Sequence, residues 1–309
     1  MTTFADQLHA AVKRCHNAVL VGLDPRADML PLGLRPKKST GSLEEIAAAY
    51  EKFCCEVIDV VAPLVPAAKP QAAFFEQLGP AGMVALERTV RYAQSRGLLV
   101  IIDGKRNDIG TTATAYAEGF LGRLSPWGGD ALTVSPYLGD DSLTPFVDVA
   151  RQRDAGIFVL VKTSNPGGKM LQDLVVNEPT RSRPIYRYVA DYVERLAYET
   201  AGACGYGAVG AVVGATYPEQ LAELRQAMPH TWFLVPGYGS QGGTATDVAP
   251  AFDSQGQGAI VNNSRGIIFA YSSKQYARRF ADSEWQRAVE AATRDMIEQL
   301  AEAVGGIRD

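Results

Sequence analysis

Histidine and cysteine are scarce in this chain, with three His and four Cys among 309 residues. His9, His16 and His230 form no ligand cluster. Cys15, Cys54, Cys55 and Cys204 make no CxxC pair and no His–Cys ligand spacing, which argues against a zinc site or a paired redox motif. Adjacent Cys54 and Cys55 lie in a helical pattern and suit a disulfide poorly, so reduced thiols in a cytoplasmic protein are expected. No stretch approaches the ~18 uninterrupted apolar residues of a membrane span. Asp6 and His9 precede any apolar run, unlike a secretory signal peptide. Neither charge dominates: 30 Lys and Arg against 34 Asp and Glu leave a net charge of −4. A nucleic-acid or membrane partner is therefore not expected. Internal repeats and low-complexity segments are also missing.

What is present is apolar and periodic. Hydrophobic residues make up 47% of the chain, enough for a large core. A prior of about 150 residues per domain suggests two domains, but single α/β barrels commonly reach about 250 residues or more. A single domain over 1–309 is expected. Eight short apolar runs end in polar or glycine residues: Ala18–Asp24, Leu64–Gln71, Leu98–Lys105, Ala131–Pro136, Ile157–Thr163, Ala208–Thr216, Thr231–Gly239 and Ala259–Arg265. Such near-continuous Val, Ile and Leu character fits strands buried on both faces of a parallel sheet. Helical patterns between them cover Leu43–Val61, Pro80–Arg96, Pro184–Thr200, Pro218–Met228 and Ser273–Val304. Alternating strand and helix means α/β, as a doubly wound sheet or a barrel. Chemistry-bearing residues end many runs rather than flanking one crevice, which favours a (β/α)8 TIM barrel. Two segments, Asp24–Ser42 and Ser164–Arg183, are long for loops; the second suits a lid.

The third run passes directly from LLVIID into GKRNDIG. Alternation places Asp103 and Lys105 on one side of the strand, with Asp108 in the loop beyond. A solvated loop with a structural ion pair is one reading. The other is a lysine kept protonated by neighbouring carboxylates, suited to donating a proton to a developing carbanion rather than to Schiff-base chemistry. The last two runs lead into Pro236-Gly237-Tyr238-Gly239-Ser240-Gln241-Gly242-Gly243 and Asn262-Asn263-Ser264-Arg265-Gly266. Glycines let backbone N–H groups approach an anion, arginine adds a forked donor, and barrels often bind phosphate at these two loops. Ordinary turn glycines with a surface arginine are the alternative. Asp24 ends the first run and reads as a strand-end turn or a ligand. Lys69 lies in an apolar strand, where it is costly to bury unpaired unless it snorkels out.

Together these residues resemble the orotidine 5′-monophosphate decarboxylase superfamily, through DxKxxD at Asp103, Lys105 and Asp108. The resemblance covers essentially the whole chain and is closest to the longer bacterial subgroup. It implies cofactor-free decarboxylation to UMP, the last step of de novo UMP synthesis, with no metal. Lys105 is then the C6 proton donor and Asp103 lies near the departing carboxylate. Asp108 reaches the neighbouring site of a homodimer, and Lys69 bridges the aspartates and the ribose. It further implies Asp24 at the ribose hydroxyls and Ser164 at the pyrimidine edge, with Thr163 beside it. Thr112 serves the ribose or the neighbouring site. Pro236, Gln241, Arg265 and Gly266 belong to the phosphate grip. Gly104 and Gly110 depart from residues common in the family, Gly110 from a proline. Metal-dependent relatives that work through an enediolate need further carboxylates, and no Glu ends a matching run. A non-catalytic sugar-phosphate-binding barrel is the alternative outside enzyme chemistry.

Overall fold

The computed structural model describes residues 2–36, 41–179, 182–239 and 242–307. Eight parallel strands close a barrel, and each falls within or one residue beside an apolar run. They are β1 (Val19–Leu23), β2 (Ala67–Pro70), β3 (Leu99–Arg106), β4 (Ala131–Val134) and β5 (Gly156–Lys162), then β8 (Val209–Val213), β9 (Phe233–Val235) and β10 (Ala259–Asn263). Neighbours follow chain order around the ring, and β10 closes on β1 through Val19↔Val261 to Val21↔Asn263. Two further strands, β6 (Val175–Asn177) and β7 (Ser182–Pro184), form an antiparallel hairpin outside the barrel. They lie in the excursion after β5, so that segment carries structure of its own.

The helices start and stop where local chemistry directs. Ser42 caps Leu43–Val61 by accepting from Glu45 N–H, and Glu44 and Glu45 face the positive end of its dipole. Pro80 lies in the first turn of the helix Gly79–Ser95, and Gly97 follows it at φ +83°. The expected continuous helix over Ser273–Val304 is broken into Lys274–Ala277 and Trp285–Val304. Ala281 is extended and donates its N–H to Glu284 Oε2 at 3.1 Å, so a local side-chain bond replaces a helical one. The break lets Trp285 pack on Phe53, with ring centroids 5.4 Å apart.

Two apolar layers result. The outer layer joins the strands to the surrounding helices. The inner one fills the barrel with inward-facing residues such as Leu20, Ile101, Phe158, Val212 and Ile260. The helix Phe4–Cys15, absent from the periodicity reading, plugs the N-terminal end with Phe4, Leu8 and Val12. Apolar side chains thus fill the barrel interior toward the N-terminal ends of its strands, and a cavity lies at their C-terminal ends. No helix among the described residues is long and apolar enough to cross a membrane.

Candidate active site

The inward-facing positions above this core are the first to carry polar groups. Lys69 follows Ala67, Asp103 follows Ile101, Thr133 follows Ala131 and Asn262 follows Ile260, each two residues on. With Asp24, Gln71, Lys105, Ser164 and Pro236 they border a cavity of about 580 Å³, floored by Leu160, Val212 and Leu234. That volume lies within the usual range for small-molecule sites, about 300–1,000 Å³.

Asp103 is the hub. Its Oδ1 accepts from Lys105 Nζ at 2.6 Å and from Thr133 Oγ1 at 2.8 Å. Its Oδ2 accepts from Lys69 Nζ at 2.9 Å and from Gln71 Nε2 at 3.1 Å. Burial alone would raise the Asp103 pKa, but the Lys69 charge and then the Lys105 charge outweigh it, holding the carboxyl well below its ordinary value. Burial likewise opposes a charged Lys69, and Asp103 and Asp24 more than offset it, raising its pKa. Both buried partners are therefore ionised across the neutral range.

Lys105 reaches this carboxylate by a different route from simple alternation. The pairing of β3 with β4 slips between Ile102 and Arg106, and Lys105 has φ +45°. The other described non-glycine residues with positive φ, His16 and Asp154, are helix C-caps. Lys105 alone adopts this conformation within a strand, at a typical cost of about 1–3 kcal/mol. Its N–H donates to Thr133 Oγ1 at 2.9 Å, which pins the bulge. Thr133 thus accepts from the Lys105 backbone while donating to the carboxylate that holds the Lys105 ammonium. Neither Thr133 nor Gln71 stands out by charge; only the strand register marks them.

The other expected residues divide into three groups. Asp24, Ser164 and Pro236 border the cavity, and Asp24 Oδ1 is buried without a hydrogen-bond partner. Thr163 also borders it, but its hydroxyl accepts from Gln172 Nε2 at 2.8 Å. Asp108 and Thr112 lie outside the cavity of their own chain: Asp108 Oδ1 accepts from Ile109 N–H at 2.8 Å, and Thr112 is exposed. Three members of the expected Asp–Lys array are therefore in contact within one chain, and Asp108 stands apart. Gly110 has φ +54°, which proline cannot adopt, so this departure from the family suits the local backbone. Arg265 and Gly266 are exposed beyond β10, and the Gly266 N–H donates to Asn263 Oδ1 at 3.2 Å. Gln241 lies outside the described residues. Around it, Gly237, Gly239 and Gly242 take φ of +102°, +68° and +93°, which only glycine adopts readily. The acids bordering the cavity are Asp24 and Asp103. Among the described residues no group of three His, Cys, Asp or Glu side chains is placed to hold a metal ion. His230 lies before β9, at the closed end, with Nδ1 2.6 Å from Glu194 Oε1.

Comparison with known proteins matches residues 18–280 to the model of the orotidine 5′-phosphate decarboxylase / HUMPS family. An orotidine 5′-phosphate decarboxylase of Rhodopirellula baltica is 59% identical over 304 residues, covering 97% of this chain and 99% of the relative. The solved structure of a putative orotidine 5′-phosphate decarboxylase from Streptomyces avermitilis superposes with a TM-score of 0.80 at 36% identity, covering 99% of this chain and 97% of that one. The OMP decarboxylase of Leishmania donovani gives a TM-score of 0.73 at 34% identity, over 98% and 99% of the two chains.

Proposed function

The chain belongs to the orotidine 5′-phosphate decarboxylase / HUMPS family, and from that membership we propose that it converts orotidine 5′-monophosphate to UMP and carbon dioxide without metal or organic cofactor. It is a carboxy-lyase, acting here as a cytoplasmic, single-domain enzyme at the last step of UMP synthesis. The observation that carries the mechanism is the Asp103 hub. A fixed anion, met by four donors, sits beside a lysine held in a strained backbone at the open end of the barrel.

The chemical difficulty is the electron pair left on C6 when the carboxylate departs. It lies in the ring plane, where the π-system cannot spread it, so stabilisation is electrostatic. In our reading the C6–carboxylate bond breaks and carbon dioxide leaves with the pair retained on C6. Lys105 Nζ stabilises that charge, then transfers a proton to C6 and is reprotonated from solvent. Asp103 orients Lys105 and disfavours the neighbouring substrate carboxylate. Lys69 neutralises Asp103 and faces the ribose, whose hydroxyls meet Asp24, where the partnerless Oδ1 supports the assignment. Ser164 contacts the pyrimidine edge, a choice favoured over Thr163 by the engagement of Thr163 with Gln172. Pro236, Gln241, Arg265 and the Gly266 backbone hold the phosphate. Asp108 and Thr112 act across a homodimer.

Orotidine 5′-monophosphate absorbance should fall in the presence of EDTA and without added metal. Activity abolished by the chelator would contradict the reading and favour a metal-dependent relative. Lys105→Ala should lose at least about 10⁴-fold in kcat, yet bind UMP by calorimetry. Wild-type protein that binds UMP but releases no carbon dioxide would be a non-catalytic barrel.

A further inference from the structure

Lys162 is a second buried lysine at the C-terminal end of the barrel, and no step above uses it. Its side chain is 1% exposed. Alternation along β5 would aim it into the cavity, because Phe158 and Leu160 face inward. The pairing of β5 with β8 slips between Leu160 and Lys162, and Lys162 is absent from the cavity wall. Its ammonium instead pairs with Asp173 and lies 4.9 Å from the Tyr217 ring centroid and 5.6 Å from that of Tyr186. One carboxylate and two aromatic faces form a full set of partners for a desolvated ammonium.

Asp173 belongs to the excursion that covers the cavity. It directly follows Gln172, which closes back on the end of β5. Gln172 Oε1 accepts from Thr163 N–H at 3.0 Å, and its Nε2 donates to Thr163 Oγ1. Gly167, Gly168, Leu171 and Gln172 border the cavity from above. Lys169, on the same short helix (Lys169–Gln172), places its ammonium 5.3 Å from the Tyr217 ring centroid. This roof is short and largely exposed, so few apolar contacts hold it. The charge pair is its deepest anchor.

We propose that Lys162 is a positioning residue whose ion pair with Asp173 fixes the 163–173 segment as the roof of the cavity, setting Ser164 against the bound substrate. The inference rests on the decarboxylase reading. Asp173→Asn keeps the shape of the partner and removes its charge. It should lower kcat/KM for orotidine 5′-monophosphate about 10- to 100-fold, mostly through KM. Limited proteolysis within 163–184 should rise and no longer be suppressed by UMP. The double variant Lys162→Met/Asp173→Leu leaves no unpaired buried charge. Its thermal midpoint should return close to the wild-type value while kcat/KM stays low. Recovery of kcat/KM together with the midpoint would overturn the proposal, because the pair would then only compensate a buried ion. Wild-type kinetics and protection in Asp173→Asn would overturn it too, and that variant decides alone should the double variant not fold. Wild-type protein inactive on orotidine 5′-monophosphate would instead sink the decarboxylase reading, and proteolysis with and without UMP would still report on the roof.

Discussion

Asp103 has both carboxylate oxygens filled, so its charge and direction are set before any substrate arrives. Thr133 is the neutral member of that set with two duties, and it can be removed without changing charge. Thr133→Val deletes the donor to Asp103 and the acceptor for the Lys105 N–H. An unsatisfied buried group costs about 1–3 kcal/mol. If it falls on the transition state it corresponds to about 5- to 150-fold in kcat, with UMP affinity nearly unchanged; weaker UMP binding with kcat unchanged would assign Thr133 to binding alone. The ion pair also predicts a pH window for stability. Asp103 is held below its unfolded value of about 3.9, so its contribution is present above that pH and lost as pH falls through the folded value. Lys69 is held above about 10.4, so its contribution is present below that pH and lost as pH rises through the folded value. The stability difference between wild type and Lys69→Met/Asp103→Leu, from urea unfolding, should be flat between about pH 5 and 9. A slope inside that window would mean the pair is not fully ionised there.

Strands and bulges explain which parts of this site can be read from sequence. Asp103 and Lys105 are legible because charges after the five apolar residues Leu98 to Ile102 break a pattern. Thr133, Gln71 and Asn262 break none, and become visible only when the register of Ala131, Ala67 and Ile260 is extended upward. The bulges at Lys105 and Lys162 are hidden because each depends on how β3 and β5 pair with a neighbour. The break before Trp285 is hidden as well, since no Gly or Pro interrupts 273–304. The helix Phe4–Cys15 lies ahead of the first strand-like apolar run and carries no motif, yet it seals the barrel. Its position gives a test that separates folding from chemistry. Phe4 packs edge-on against Phe158 with centroids 6.0 Å apart, at the end away from the cavity. Phe4→Ala should cost about 3–5 kcal/mol of unfolding free energy, while kcat per folded molecule stays within about twofold of wild type. A large fall in kcat would show that the plug reaches the site through the barrel interior.

The whole molecule poses the question that one chain leaves open, because Asp108 lies beyond the cavity that Lys105 borders. Exposed apolar side chains flank the same open end: Tyr137 is 73% exposed, Met170 81% and Ile109 54%. A second chain covering that end would bury them and bring its own loop after β3 toward this cavity, which is the homodimer proposed above. Shared sites have a consequence that self-contained sites lack. Lys105→Ala and Asp108→Asn should each be nearly inactive alone. After mixing under conditions that exchange subunits, a heterodimer holds one site with both lesions and one with none. About a quarter of all sites in a one-to-one mixture should then regain function, seen as recovered loss of orotidine 5′-monophosphate absorbance. Each active site built within one chain would give no recovery on mixing. That outcome would remove Asp108 from the array and leave Lys69, Asp103 and Lys105 to carry the chemistry alone.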